Sequence, residues 1–307
     1  MSATGKFPSD LGSGSGHMLV GLFRLARPAD WIKNVFVLIP VPFAMAAGTQ
    51  FRPVPLAFGL LGFCLINSAV YTLNDLFDAE ADRLHPRKRH RPIACGQVTI
   101  AAAAVQIGVL FLLGMGLCTA ACLRIGTIDA AALFLLYAAI NVVYSLGAKH
   151  VAVLDVFLLS SGFVIRVLLG CALIEASASP WLLLCTSSLA FFLGFSKRRA
   201  DLTSGLDGHH RPSLRGYSTA FLDQAITICA GVALLAYALY SIESDVLRDG
   251  REMASMPFVA YGILNYLRLV NTENAGDSPV EVAYSSRSSQ LCALGWIVAV
   301  TWSLGIW

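Results

Sequence analysis

Nine apolar stretches, near residues 22–48, 54–73, 98–121, 127–146, 151–174, 180–196, 220–242, 256–270 and 290–307, take up most of the chain. Its charge is packed into the short segments between them. About 20 apolar residues carry an α-helix across a bilayer. Lipid offers no partner to a free backbone N–H or C=O, so only helices and closed barrels can span it. The stretches are too long and too evenly apolar for barrel strands, and the expectation is an all-α integral membrane protein with nine transmembrane helices around a cytoplasm-facing polar cavity. Pro40 and Pro42 interrupt the first stretch, and the eighth is short. Only 13% of the 307 residues are charged, against about 25% in a soluble domain.

Orientation follows from Lys and Arg. Arg52, Arg124, Arg248 and Arg251 fall on one side and Arg166 inside the fifth stretch, which leaves 17 of the 22 basic residues on the side of the N-terminus. By the positive-inside rule that side is cytoplasmic, in a cell inner (plasma) membrane. The net charge of +3 comes with no basic tail, which argues against nucleic acid as a partner. Eight cysteines lie mostly in apolar stretches without zinc-ligand spacing and read as small packing residues. No cleavable signal peptide is visible at the start, and residues 1–17 read as a linker-like leader, leaving 18–307 as the catalytic domain. Monomer and homo-oligomer are both compatible with the apolar surface.

The densest chemistry follows the second stretch, in Asn74-Asp75-Leu76-Phe77-Asp78-Ala79-Glu80-Ala81-Asp82. On a helix, Asp75, Asp78 and Asp82 are spaced i, i+3, i+7, and Asn74, Asp78 and Asp82 are spaced i, i+4, i+8, so their oxygens share a face. Such a cluster repels itself unless something cationic binds. All-oxygen donors suit Mg²⁺, which takes one or two carboxylates with water and substrate phosphate. Lys88, Arg89 and Arg91 follow as candidate phosphate binders.

Other candidates are scattered. Arg166, midway along a span, must face a polar cavity or a carboxylate, and an anion-binding role is favoured. Lys149 and Asp155 flank the start of the same span, with Asp155 a turn and a half inside and a second metal or a ribose hydroxyl as its expected partner. Lys33 and Asn34 open the first span. Lys197 and Arg198 begin a second long polar loop, expected from Ser196 to about Thr219, and the two charged loops hint at two related halves.

These residues together resemble the UbiA superfamily of intramembrane prenyltransferases, whose Asn-Asp-x-x-Asp-x-x-x-Asp signature residues 74–82 match at every fixed position. Arg27-Pro28 with Trp31, Lys33 and Asn34, then His85 to Ala94, Tyr144-Ser145 with Lys149, Leu154-Asp155, Lys197-Arg198 and Gly276 to Glu281 look like its decaprenyl-phosphate phosphoribosyltransferase branch. That resemblance implies Mg²⁺-dependent transfer of 5-phosphoribosyl from 5-phosphoribosyl 1-diphosphate to a polyprenyl phosphate, releasing diphosphate and giving a cell-envelope arabinan precursor. It implies Asn74, Asp75, Asp78 and Asp82 at the metal, with Lys149 and Asp155 joining Asp78 and Asp82 in catalysis. Lys88, Arg89, Arg91 and Lys149 would bind the diphosphate, and Arg166, Lys197 and Arg198 the 5-phosphate. Tyr144 and Asp155 would lie near the ribose, and Lys33 near the acceptor phosphate with Asn34. A prenyl-diphosphate:aromatic prenyltransferase shares the metal motif and stays open as an alternative, as does a transporter gated by the charged loops.

Overall fold

The computed structural model describes residues 14–84, 88–204, 212–272 and 286–306, and these contain helices and turns without a strand. Among the described residues eleven α-helices follow one another: α1 Gly14–Ala26, α2 Pro40–Ala46, α3 Pro53–Phe77, α4 Ala79–Leu84, α5 Ile100–Ile125, α6 Asp129–Ser145, α7 Leu154–Leu173, α8 Pro180–Thr203, α9 Thr219–Glu243, α10 Met256–Thr272 and α11 Arg287–Ser303. Among the described residues six segments are long and apolar enough to cross a bilayer: Gly16–Ala46, Pro53–Phe77, Ile100–Ile125, Leu154–Leu173, Pro180–Thr203 and Thr219–Glu243. Two shorter apolar helices, Asp129–Ser145 and Met256–Val270, accompany them. This is an integral, multi-pass membrane architecture.

The first apolar stretch is not one helix. Arg27 adopts a left-handed conformation (φ 47°, ψ 57°), and a 3-10 helix, Pro28–Leu38, replaces the α-helical path before α2 resumes at Pro40. Pro28 is pre-set for a helix start but cannot continue the hydrogen bonding of α1, and Pro40 has no N–H to donate back toward Phe36. α1 begins inside the leader set apart from the sequence, and the His17 carbonyl accepts a bond from Gln97 Nε2 at 2.9 Å. The expected loop from Ser196 is also shorter than its composition suggested. α8 continues to Thr203 and carries Lys197 and Arg198 as helical residues.

The two largest of four apolar cores hold the middle of the bundle. One joins Val37 and Ala44 to Phe63, Ile66, Cys118, Phe134 and Leu169, and the other joins Val156 to Phe192, Phe195, Leu214, Leu222 and Ile226. Helix α7 contributes to both. In a membrane such packing depends on close backbone approach at small residues. A Cβ at Gly62 would lie 2.8 Å from the Gly114 carbonyl, which seats α3 on α5. At Gly170 a Cβ would overlap the Val37 carbonyl, so the 3-10 helix rests directly on α7.

Ion pairs mark the two ends of the bundle. Arg52, before α3, pairs with Glu175, after α7, at 2.5 Å. At the other end Asp78, after α3, meets Lys149, before α7. The helices are therefore antiparallel, and the candidate site residues collect at the C-terminal end of α3 and the N-terminal end of α7.

Candidate active site

Helix α3 ends at Phe77 and Asp78 caps it, but the i→i−4 bonding survives the joint: Asp78 N donates to Asn74 O at 3.0 Å and Asp82 N to Asp78 O at 2.8 Å. The three aspartates thus stay one and two turns apart, while the bend at Asp78 (φ −85°, ψ −4°) separates their directions. Asp75 and Asp82 turn to one side, where Arg91 Nη1 reaches Asp75 Oδ1 at 3.0 Å and Asp82 Oδ2 at 2.7 Å. Arg27 Nη2 adds a second pair to Asp75 at 2.6 Å. Asp78 turns to Lys149 and also accepts from Asn74 Nδ2 at 3.2 Å, while Asn74 Oδ1 accepts from Ser145 Oγ at 3.2 Å.

The repulsion expected among these carboxylates is met by cations of the protein itself. Asp75 and Asp82 are buried, whereas Asp78 keeps 22% of its side chain exposed. Burial pushes the Asp82 carboxyl above its ordinary pKa, and Arg91 followed by Lys88 pulls against that shift. Arg89 lies outside this cluster, exposed, with Nε 3.4 Å from His90 Nε2.

A second group forms around Asp155, which stands in the first turn of α7 and not a turn and a half inside. The chain from Gly147 to Val153 holds a short 3-10 helix, Ala148–His150, and turns, so α7 starts later than the apolar stretch. Asp155 is fully buried and its oxygens already have donors: Arg198 Nε at 2.6 Å and Ser213 Oγ at 2.9 Å on Oδ2, and Tyr217 OH at 2.7 Å on Oδ1. Its protein partners are therefore Arg198, Ser213 and Tyr217. Arg198 is 1% exposed, and Tyr144 lies within electrostatic reach of it. Lys197 is half-buried on the preceding position of α8.

Arg166 lies deeper. Its Nε donates to Asn34 Oδ1 at 2.9 Å and its Nη1 to the Gly162 carbonyl at 2.8 Å. The guanidinium carbon stands 5.3 Å from the ring of Phe63, 5.2 Å from Tyr137 and 5.5 Å from Phe163. The partners found are an amide, a carbonyl, the Tyr137 hydroxyl at 3.4 Å from Nη2 and three aromatic faces, in place of the carboxylate or open polar cavity expected. Cation–π contacts at desolvated sites contribute up to about 2 kcal/mol each, which helps keep the charge at this depth. Asn34 also accepts from Asn67 Nδ2 at 3.1 Å, so its amide serves the interior. Lys33 instead pairs with Asp30 at 2.6 Å and stands 5.8 Å from the Tyr71 ring, beside Arg27 on the same ring at 5.2 Å.

Sequence reasoning passed over Arg27, Tyr71, Ser213 and Tyr217 as site residues. Arg27 stood in plain view, since an arginine before Pro28 at the membrane face can reach the carboxylate cluster. Ser213 and Tyr217 gave no periodic signal because the 3-10 segment Pro212–Gly216, which carries Ser213 and ends just before Tyr217, is only five residues long. His85, Arg87, Arg211 and the Gly276 to Glu281 segment lie outside the described residues.

Among the described residues no three His, Cys, Asp or Glu side chains converge as a closed metal cage. What exists is an open set of oxygens, Asp78 with Asn74 and then Asp82 one turn on, in which each carboxylate has a cation beside it. That donor set fits Mg²⁺, which relies on few protein ligands and keeps positions for water and phosphate. Fold and site together define a multi-pass membrane protein with a cluster of alternating acids and bases at one end of its bundle.

Comparison with known proteins gives that class its family. The chain belongs to the UbiA prenyltransferase family, whose model matches residues 34–279. It is 32% identical over 295 residues to the decaprenyl-phosphate phosphoribosyltransferase of Corynebacterium glutamicum, covering 93% of this chain and 87% of that one. The protein of the same description from Mycobacterium tuberculosis (strain CDC 1551 / Oshkosh) is 33% identical, covering 92% of this chain and 94% of its own length. Among solved structures, a UbiA homologue of Archaeoglobus fulgidus bound to GPP and Mg²⁺ superposes with a TM-score of 0.68 at 18% identity, covering 92% of this chain and 99% of that one. A UbiA homologue of Aeropyrum pernix K1 gives 0.64 at 17% identity, covering 92% and 98%.

Proposed function

We propose that this protein transfers 5-phosphoribosyl from 5-phosphoribosyl 1-diphosphate to a polyprenyl phosphate in a Mg²⁺-dependent reaction that releases diphosphate. The observation that carries the reading is the alternation of acid and base at one end of the bundle, Arg27–Asp75–Arg91–Asp82 beside Lys149–Asp78. A donor bearing a diphosphate and a 5-phosphate brings many anionic oxygens, and side chains already paired can exchange partners with it. The curated relatives described as decaprenyl-phosphate phosphoribosyltransferases support the choice of donor and acceptor.

In this reading Asp78 and Asn74, with Asp82 and Asp75 behind them, hold the metal, which supplies stabilisation of the charge on the departing diphosphate. Lys149, with Lys88, Arg89 and Arg91, takes the diphosphate oxygens. Arg198 and Lys197 on α8 face the 5-phosphate, with Tyr144 near the ribose, and Asp155 fixes Arg198 from behind. Lys33 and Arg27 meet the acceptor phosphate beside Tyr71. Arg166, through Asn34, keeps a positive field under the site. The acceptor is already anionic, so its oxygen attacks the anomeric carbon without a general base, the C1–O bond to diphosphate breaks, and the configuration inverts. The protein's contribution is proximity and electrostatic complementarity. We place the site on the cytoplasmic face of a plasma membrane, in a bundle of nine crossings around a polar cavity.

The test uses purified protein in nanodiscs with Mg²⁺, radiolabelled 5-phosphoribosyl 1-diphosphate and polyprenyl phosphate, following label into the organic phase. Metal-dependent transfer is expected. Transfer from a polyprenyl diphosphate to an aromatic acceptor, without label transfer, would replace this reaction with the ordinary prenyl transfer of the family.

A further inference from the structure

We infer that Tyr217 is a positioning residue, which braces the strained turn before α7 and thereby sets Lys149 against Asp78; the inference rests on the role proposed above for Lys149. The strain is local and specific. Val153 has φ 70° and ψ −50°, close to the γ-turn conformation that is rare and costly for any residue and a clear outlier for a β-branched one. Residues held this way persist only where their surroundings over-determine them, and they gather at functional sites.

The surroundings here are the turn Pro212–Gly216 and the residue after it. Tyr217 OH accepts the Val153 N–H at 2.6 Å and donates to Asp155 Oδ1 at 2.7 Å, so one phenol holds both sides of the outlier. Ser213 Oγ binds the other oxygen of Asp155 at 2.9 Å. Next to Tyr217, a Cβ at Gly216 would lie 2.5 Å from Ala152 Cβ, so only glycine lets the turn seat this closely. Residues 152, 153 and 155 are thus each met by the 213–217 segment.

Lys149 lies four residues before Val153, and the chain between has no slack. Val151 N donates to the Ala148 carbonyl at 3.2 Å, His150 N to the Gly147 carbonyl at 2.9 Å, and Asp155 N to the Val151 carbonyl at 3.0 Å. A rotation at Val153 therefore moves Lys149 relative to Asp78. Tyr217 itself has no route to the substrate: it is 7% exposed and its hydroxyl is engaged on both sides. Its effect on the reaction passes through the backbone at Val153 and, by way of Asp155, through Arg198, and binding of inorganic diphosphate reads the first of these.

The experiment compares wild type, Tyr217→Phe, Val153→Gly and the double variant in nanodiscs. It measures binding of inorganic diphosphate with Mg²⁺ by thermal-shift titration, and KM for each substrate with kcat. Tyr217→Phe is expected to weaken diphosphate binding and raise the donor KM by about tenfold, the scale of losing an outer-shell support, with the acceptor KM unchanged. Glycine adopts φ 70° without strain, so Val153→Gly in the Tyr217→Phe background is expected to restore most of the loss. Restoration would not follow from a purely structural role of the phenol in packing. Should Tyr217→Phe fail to fold, Gly216→Ala, which pushes the turn off Ala152, is expected to give the same donor-selective loss. Unchanged diphosphate binding in Tyr217→Phe, or a loss that Val153→Gly leaves in place, overturns the inference. A wild type that binds Mg²⁺ and diphosphate but transfers no phosphoribosyl refutes the reaction instead, and leaves the binding comparison to decide the brace.

Discussion

Arg166 Nε donates to Asn34 Oδ1 at 2.9 Å, joining residues 132 positions apart across the contact between the 3-10 helix and α7. Asn34 is the polar side chain to which both Arg166 and Asn67 donate, and it takes the Arg166 Nε while the Gly162 carbonyl and the Tyr137 hydroxyl take the other two nitrogens. Asn34→Leu should cost about 2 kcal/mol, the scale of removing a hydrogen bond to a buried charge. Adding Arg166→Met should recover much of it, because removing both members of a buried polar pair is far less costly than removing one. Thermal unfolding of wild type, Asn34→Leu and the double variant in detergent checks this, and wild-type melting of Asn34→Leu would show that Arg166 does not depend on the amide.

Asp78 is the member of the carboxylate cluster with an exposed edge, and it touches both Asn74 and Lys149. Asp78→Asn should lower transfer at least about a hundredfold, the scale of losing a main electrostatic contact in a reacting site, while the extracted protein keeps its helical circular dichroism. Near-normal turnover would remove Asp78 from the metal.

Because each carboxylate of the site has a protein cation beside it, the fold does not rely on metal for charge balance. EDTA should abolish activity while shifting the melting temperature by no more than about 2–4 °C, the equivalent of roughly 1 kcal/mol in a chain of this size. A large fall in melting temperature on chelation would mean that the metal organises the bundle as well.

Burial, and then its bond to Asp155, raise the Tyr217 hydroxyl above its ordinary pKa, outweighing the opposing pull of the Val153 N–H and Arg198. The unfolded chain ionises this tyrosine from about pH 10, whereas the folded one holds the proton to higher pH. Its stabilising contribution is therefore complete below about pH 10 and declines as pH rises through the folded value. Melting temperatures between pH 8.5 and 11 should fall more steeply for wild type than for Tyr217→Phe. Parallel profiles would show that the phenol stays as accessible as in the unfolded chain.

Much of this architecture was legible in the sequence because lipid imposes one strong rule, and apolar runs such as 220–242 mark α9 (Thr219–Glu243) to within a residue or so. The first run misled because apolar composition says nothing of the left-handed Arg27 or of the 3-10 path it starts. The charged run after Ser196 misled in the opposite sense. Lys197 to Arg199 look like loop, yet Arg198 is buried on a helix by an acid 43 positions away, and local composition cannot report that. At the site, the spacing of Asn74, Asp78 and Asp82 picked out residues that do lie together at one end of the bundle. It could not show that the bend at Asp78 sends Asp75 and Asp82 to Arg91 and leaves Asp78 to Lys149. Those pairings depend on where distant segments return, and Tyr217 is the clearest case.

The ion pairs at the two ends of the bundle will respond to salt in unlike ways. Arg52 and Glu175 are 43% and 42% exposed, whereas Arg198 and Asp155 are 1% and 0% exposed. At 1 M ionic strength the screening length is about 3 Å, which reaches the first pair and not the second. A high-salt extraction buffer would thus loosen the clasp between the Arg52 end of α3 and the end of α7 while leaving the Asp155 anchor intact, so the ionic composition of the sample selects which end of the protein is held rigid.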